Sequence, residues 1–163
     1  MASIFGFKIK NIVKFQGREG QGCQGDIYYN GKKVGWYNDS ADGGMADIDF
    51  WQNDAKRRDE IQAIFEKTTK DYFERFPLIG LMNAMEPDGE MFMKALVELT
   101  ELEKKYKYYM RTKRKFFVTY EDKSGFVIYW IASSDPQLYQ KTKKDKTAIN
   151  VKEYKSLSDF IVL

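Results

Sequence analysis

The chain contains no histidine and a single cysteine, Cys23. Without histidine it lacks the commonest metal ligand, the commonest general base and the Ser-His and Cys-His nucleophile pairs. One thiol allows neither an intrachain disulfide nor a cysteine-based zinc site. Cys23 itself has no ordinary activating partner and reads as a small packed residue. Long apolar runs are missing too: none approaches the roughly 18 residues of a membrane span. The opening MASIFGFKIK lacks the apolar block of a signal peptide, so a soluble intracellular protein is expected. Internal repeats and low-complexity linkers are also absent. What is present is 163 residues, 43% apolar and 16% aromatic. That suits one folded domain, or one domain with an appended module, with a core that needs no disulfide or metal.

Charge is unevenly placed. Residues 1–100 hold 13 Lys/Arg against 16 Asp/Glu, whereas residues 101–163 hold 14 against 8. The formal charge therefore passes from −3 to +6 along a chain whose total is +3. Between 104 and 115 stand Lys104, Lys105, Lys107, Arg111, Lys113, Arg114 and Lys115 with no acid among them. Such a block makes a local positive field, whether as a solvated surface or as a site for phosphates.

Apolar alternation over residues 7–16 (Phe7, Ile9, Val13, Phe15, with Ile12 out of step) predicts a strand with one buried face. The glycine-rich stretch 17–22 reads as a loop. Asn30-Gly31 predicts a type I′ hairpin turn, which would pair Tyr29 with Lys32, Ile27 with Val34 and Gly25 with Trp36 and bury the Ile27–Val34–Trp36 face. Residues 38–44 break the sheet, and Ile48, Phe50 and Trp51 begin a new packed segment. A helix is expected over 54–76, with Ile61, Ile64, Phe65, Thr68, Tyr72 and Phe76 on one stripe, Asn53 or Asp54 as cap and Pro77 as stop. Residues 78–85 read as a short buried turn. A second helix should run from Pro87-Asp88-Gly89-Glu90 to about Arg111, with Phe92, Leu96, Leu99, Leu102, Tyr106 and Met110 as its stripe. Residues 115–132 read as a second hairpin. Phe116, Val118 and Tyr120 share a face that Phe126, Ile128 and Trp130 continue, and Phe117 and Val127 imply cover on both sides. Asp135-Pro136 opens a short helix, Lys141 to Lys146 form a charged connector, and Ile149, Val151 and Tyr154 make a further strand. Leu157, Phe160 and Ile161 anchor the C-terminus. The fold class expected is α+β: antiparallel hairpins at both ends of the chain, packed with two central amphipathic helices. Residues 1–51 read as a Gly/Asp-rich hairpin module and 52–163 as an α+β region, either separate or one continuous domain.

The chemistry on offer is limited. The 17–22 loop lacks the GK[ST] ending of a P-loop and leads into a strand, which leaves Arg18 as its one phosphate contact. Asp39, Asp42, Asp47 and Asp49 are the weak metal candidates. Carboxylates alone would take Mg²⁺ loosely, and the same residues are common in turns. No tightly held cofactor is expected. Tyr106, Tyr108 and Tyr109 interleave with the basic block, as stacking and phosphate neutralisation of RNA would require, but helical spacing puts Tyr106, and with it Tyr109, near the core. The nucleic-acid-binding candidates are Lys104, Lys105, Lys107, Arg111, Lys113, Arg114, Lys115 and Arg18.

The run Phe15-Gln16-Gly17-Arg18-Glu19-Gly20-Gln21-Gly22, then Ile27 to Gly35, then Asp39 and Asp42-Gly43-Gly44, resembles an N-terminal module of small proteins of phages and mobile elements of Gram-positive bacteria. Several of these belong to type II-A anti-CRISPR families. The resemblance spans about residues 7–50 and carries no catalytic residue. It implies a partner class: a type II RNA-guided DNA nuclease, its guide RNA, or both, in the cytoplasm of a bacterial host and with no membrane. The implied activity is inhibition, either by blocking guide loading or by truncating the guide. The basic block would meet RNA, or the acidic front would occupy the effector's basic channel. The alternative is a phage nucleic-acid-binding protein without a defence role.

Overall fold

Asn30 and Gly31 both hold positive φ, 46° and 84°, as a type I′ turn requires. The computed structural model of the chain describes residues 1–51, 55–78, 86–122 and 127–163. In chain order the elements are β1 (Ser3–Ile4), β2 (Phe7–Gln16), β3 (Gln21–Tyr29), β4 (Lys32–Asp39), β5 (Asp47–Phe50), α1 (Ala55–Arg75), α2 (Gly89–Met110), β6 (Phe116–Glu121), β7 (Ile128–Ser133), α3 (Leu138–Lys144), β8 (Ile149–Tyr154), a 3-10 turn (Leu157–Phe160) and β9 (Ile161–Val162). Two sheets form, in the orders β5-β4-β3-β2-β1-β9 and β7-β6-β8. All pairs are antiparallel except β1 with β9, which joins the two ends of the chain in parallel. The protein is α+β. No helix among the described residues is long and apolar enough to cross a membrane.

Two bulges correct the expected faces of the first sheet. In β2 the register slips between Lys10 and Val13, at Asn11 with φ 53°. One extra residue reverses the alternation beyond it. Ile12 therefore turns toward the core and Val13 toward solvent, 52% exposed; the residue out of step with the alternation marks the bulge. In the β3–β4 hairpin Tyr29 faces Lys32 and Tyr28 faces Lys33 as expected, but Ile27 then faces Gly35 and Asp26 faces Trp36. Val34 is the extra residue. The buried face is Ile27, Val34 and Tyr37, not Trp36, whose indole N–H instead donates to Asp49 Oδ2 at 3.3 Å. The 17–22 loop is shorter than expected: Gly22 already lies in β3, and the turn closes with Gly17 N–H donating to the Gly20 carbonyl.

Gly35 is where β4 must let another chain segment pass. A Cβ built there would stand 2.2 Å from the Asp49 carbonyl oxygen. Gly35→Ala should therefore push β5 away and cost about 1–3 kcal/mol, the usual scale of overpacking. Amide exchange at Ile48 and Phe50 should quicken well beyond the global change. Unaltered protection there would show that β5 is not held by this contact.

α1 and α2 cover one face of the first sheet. Phe7, Ile9, Ile27, Val34, Tyr37 and Phe50 pack with Phe65 and Phe73 of α1 and with Phe92, Met93 and Leu96 of α2. Phe7, Phe65 and Phe92 meet edge to face at 5.3–6.0 Å between ring centres, the geometry favoured by ring quadrupoles. Phe76, at the end of the α1 stripe, is 42% exposed. α2 begins where Asp88 caps it, its carboxylate accepting from Met91 N–H at 2.9 Å. Its second half serves a different core: Leu102 and Tyr106 pack with Phe117, Ala132, Tyr154 and Phe160, and Leu99 touches both clusters.

In the second sheet Phe117 faces Ala132 and Thr119 faces Trp130. Ile128 and Trp130 therefore share the face of Phe117, not the expected face of Phe116, Val118 and Tyr120. Phe117 and Val118 point to opposite faces yet are both fully buried. α2 covers the first, and α3, packed on β6 and β8, covers the second. Val127 is exposed. The basic stretch from Lys141 is helical as far as Lys144 rather than a connector. Of the expected C-terminal anchors only Phe160 is buried; Leu157 and Ile161 are exposed. The expected caps Asn53 and Asp54, the turn at 79–85 and Phe126 lie outside the described residues.

Candidate nucleic-acid interface

Near its end α2 carries Lys104, Lys105 and, in its last turn, Lys107, where cations suit the carbonyl end of a helix dipole. The chain leaves it through Arg111 and Thr112, whose N–H groups donate to the Tyr108 and Tyr109 carbonyls, and enters β6 where Lys115 N–H donates to the Ser133 carbonyl at 3.0 Å. The basic block thus divides between a helix end and an exposed turn. On the helix, Lys104 pairs with Glu101 at 2.8 Å and Lys107 with Glu103 at 2.7 Å. Glu103 is buried. Burial works to raise its carboxyl, but Lys107, the Ala2 N–H and the N-terminal ammonium together hold it below the usual carboxylate range. Lys104 and Lys107 are therefore largely neutralised within the fold. The spacings three and four apart are legible in the sequence and point to these pairs.

The turn behaves differently. Arg111, Lys113, Arg114 and Lys115 are exposed, and the side chains of Arg111, Lys113 and Lys115 have no hydrogen-bond or ion-pair partner among the described residues. Arg114 lies 5.7 Å from the Tyr109 ring centre and donates to the Ala132 carbonyl at 3.1 Å. Lys105 sits 4.8 Å over Trp130. Trp130 in turn lies 5.2 Å from Tyr109, which meets Tyr108 edge to face at 5.0 Å. Tyr108 is 64% exposed. The result is an aromatic shelf, Tyr108–Tyr109–Trp130, flanked by Lys105 and Arg114 and adjoining three unpaired cations. Rings of this kind stack on unpaired bases, and free cations neutralise phosphates. Sequence reasoning missed Trp130 because the shelf joins a helix end to a strand twenty residues downstream.

Arg18 stands on the β2–β3 turn, a different element, where its N–H donates to Asp42 Oδ1 at 3.1 Å. The four aspartates are spread over the β4–β5 region with local tasks. Asp39 accepts from Ala41 N–H at 3.0 Å and lies 3.9 Å from Lys94. Asp42 holds the Arg18 turn, Asp49 holds Trp36, and Asp47 is exposed at the start of β5. Among the described residues, no group of three or more His, Cys, Asp or Glu is placed to hold a metal ion. Burial, then the charge of Asp39, pushes the half-buried Cys23 thiol up, away from nucleophilic use. Compared with known proteins, the chain matches no family, no curated protein and no solved structure.

Proposed function

We propose that the protein binds RNA through the 105–115 surface and, on the resemblance of its front module, inhibits a type II RNA-guided DNA nuclease in a bacterial cytoplasm by engaging the guide before the effector does. The observation that carries the RNA reading is the coincidence of three unpaired cations, Arg111, Lys113 and Lys115, with an aromatic shelf whose outer ring, Tyr108, is exposed while Tyr109 and Trp130 pack back on the core. Phosphate neutralisation supplies affinity and stacking supplies preference for unpaired RNA. No catalytic role enters this reading, because cationic and aromatic groups suffice for occlusion. A plain RNA-binding protein without a defence role needs only the same surface, so the two readings part at the partner.

Order of addition separates them. Incubated with guide RNA or with the guide-free effector first, the protein should suppress DNA cleavage strongly. Added to a seated effector–guide complex, it should act weakly, because a tight complex releases its guide slowly. RNA shortened on a denaturing gel would replace occlusion by guide truncation. RNA binding without inhibition in any order would leave the plain RNA-binding reading. Equal inhibition of the assembled complex with intact RNA would move the target to another effector surface.

A further inference from the structure

Between the end of α1, the middle of α2 and the small sheet lies a cavity of about 740 Å³, in the size range of small-molecule sites. Much of its wall is apolar, with Phe73, Leu99, Ile128 and Val151 among the lining residues. Two carboxyls from different elements also line it, Glu98 of α2 and Glu121 of β6. Both are half-buried and neither has an ion-pair partner among the described residues. Among the described residues, Glu98 accepts a hydrogen bond from the Ile128 N–H and Glu121 accepts one from Asn150 Nδ2 at 3.3 Å. The cations at the rim are engaged elsewhere. Lys94 pairs with Glu90, Lys152 donates to the Asp159 carbonyl at 3.1 Å, and Arg75 donates to the Leu163 carbonyl.

Two carboxylates in a largely apolar cavity, with no ion-pair partner among the described residues, carry a repulsion and a desolvation cost that a bound cation would relieve. We propose that this cavity is a binding site for an amphipathic organic cation, an amine or guanidinium carried on an aromatic or aliphatic body. The charged end sits against Glu98 and Glu121. Tyr72 lines the same space and offers its ring to a cation, whereas the Tyr154 ring is already stacked on Phe160 and covered by Lys152 at 4.6 Å; the aliphatic wall covers the ligand body. The electrostatics agree with this. Burial, then the charge of Glu121, raises the Glu98 carboxyl, and burial, with Asp122 adding, raises that of Glu121. Tyr72 is pushed up to about 12 by burial and then by the same two acids. The site is independent of the RNA surface, and failure of either reading leaves the other standing. A free small amine and an arginine side chain of a protein partner share this chemistry.

The groups facing the two carboxyls are Tyr72 and Arg75 from α1, Lys94 and Lys105 from α2, Asp122 after β6, and Lys152 and Tyr154 from β8. A cation needs the carboxyls ionised, so its affinity should rise as pH climbs above the ordinary carboxylate range, because both carboxyls are raised by burial. The experiment is calorimetric titration of the whole protein with phenethylamine, with its neutral analogue 2-phenylethanol, and with acetyl-Gly-Arg-Gly-amide. Phenethylamine or the arginine peptide should bind, about tenfold or more tighter than 2-phenylethanol. The tighter of the two cations identifies the source as a small amine or a protein side chain. Glu98→Gln combined with Glu121→Gln should remove the binding while leaving the melting temperature equal or higher, because the like-charge repulsion is gone. The proposal falls if neither cation titrates at millimolar concentration, if 2-phenylethanol binds as well, or if affinity is flat between about pH 4.5 and about pH 7. The comparison of charged and neutral ligands on the unaltered chain holds whether or not the double variant folds.

Discussion

Replacing Arg111, Lys113 and Lys115 together by alanine should flatten the dependence of log K on log salt for single-stranded RNA by about 2, at ~0.7 for each phosphate no longer neutralised. In practical terms the altered protein should lose roughly 20-fold less affinity than the original between 50 and 200 mM salt. Filter binding or fluorescence anisotropy at four salt concentrations measures this directly. Lys104→Ala with Lys107→Ala is the informative control. Both lysines are committed to Glu101 and Glu103, so their removal should barely change the slope even though it deletes as much formal charge per residue. Tyr108→Ala should act on the other component. It should weaken binding by about 1–3 kcal/mol, the scale of a base–aromatic stack, with the slope unaltered. An unchanged slope in the triple variant returns the 111–115 turn to an ordinary solvated surface.

Phe92→Ala should be the most damaging single change in the core, at about 3–5 kcal/mol, a large share of the roughly 5–15 kcal/mol by which domains are stable. Phe92 is fully buried and meets Phe7, Phe65 and Tyr72 edge to face at 5.3–6.0 Å. Its removal leaves a cavity walled by rigid rings that cannot collapse into it. Phe76→Ala should cost less than about 1 kcal/mol, since Phe76 is 42% exposed and packs mainly on Tyr72. Urea midpoints compared at constant m-value decide the matter. Similar destabilisation by the two substitutions would mean that helical spacing, and not the observed packing, governs this core.

Phe76 also shows where helical periodicity stops being informative. A stripe says which residues share a face, and α1 does present Phe65 and Tyr72 as the period demands. It does not say how far along the helix the partner extends, and Phe76 lies just past the end of α1, where it is exposed. The turn at Asn30-Gly31 was legible, because positive φ at two adjacent positions is a local steric demand. So were the start of α2 at Pro87-Asp88-Gly89-Glu90 and the α+β class, set by the order of alternating and helical segments. Local chemistry determined these and needed no partner. The faces beyond the hairpins were not legible. The bulges at Asn11 and Val34 each insert one residue, and one residue moves every later side chain across the sheet. What selects the bulge is remote: the β5 backbone pressed against Gly35, and a helix pair that accepts Tyr37 rather than Trp36. The proposed RNA surface divides in the same way. Its charge was visible as a run of lysines and arginines, and the Glu101 and Glu103 pairs follow from helix spacing. The aromatic shelf and the Glu98–Glu121 cavity exist only because α2 is long enough to cross from one core to the other, bringing β6, β7 and β8 against residues that no local pattern connects to them.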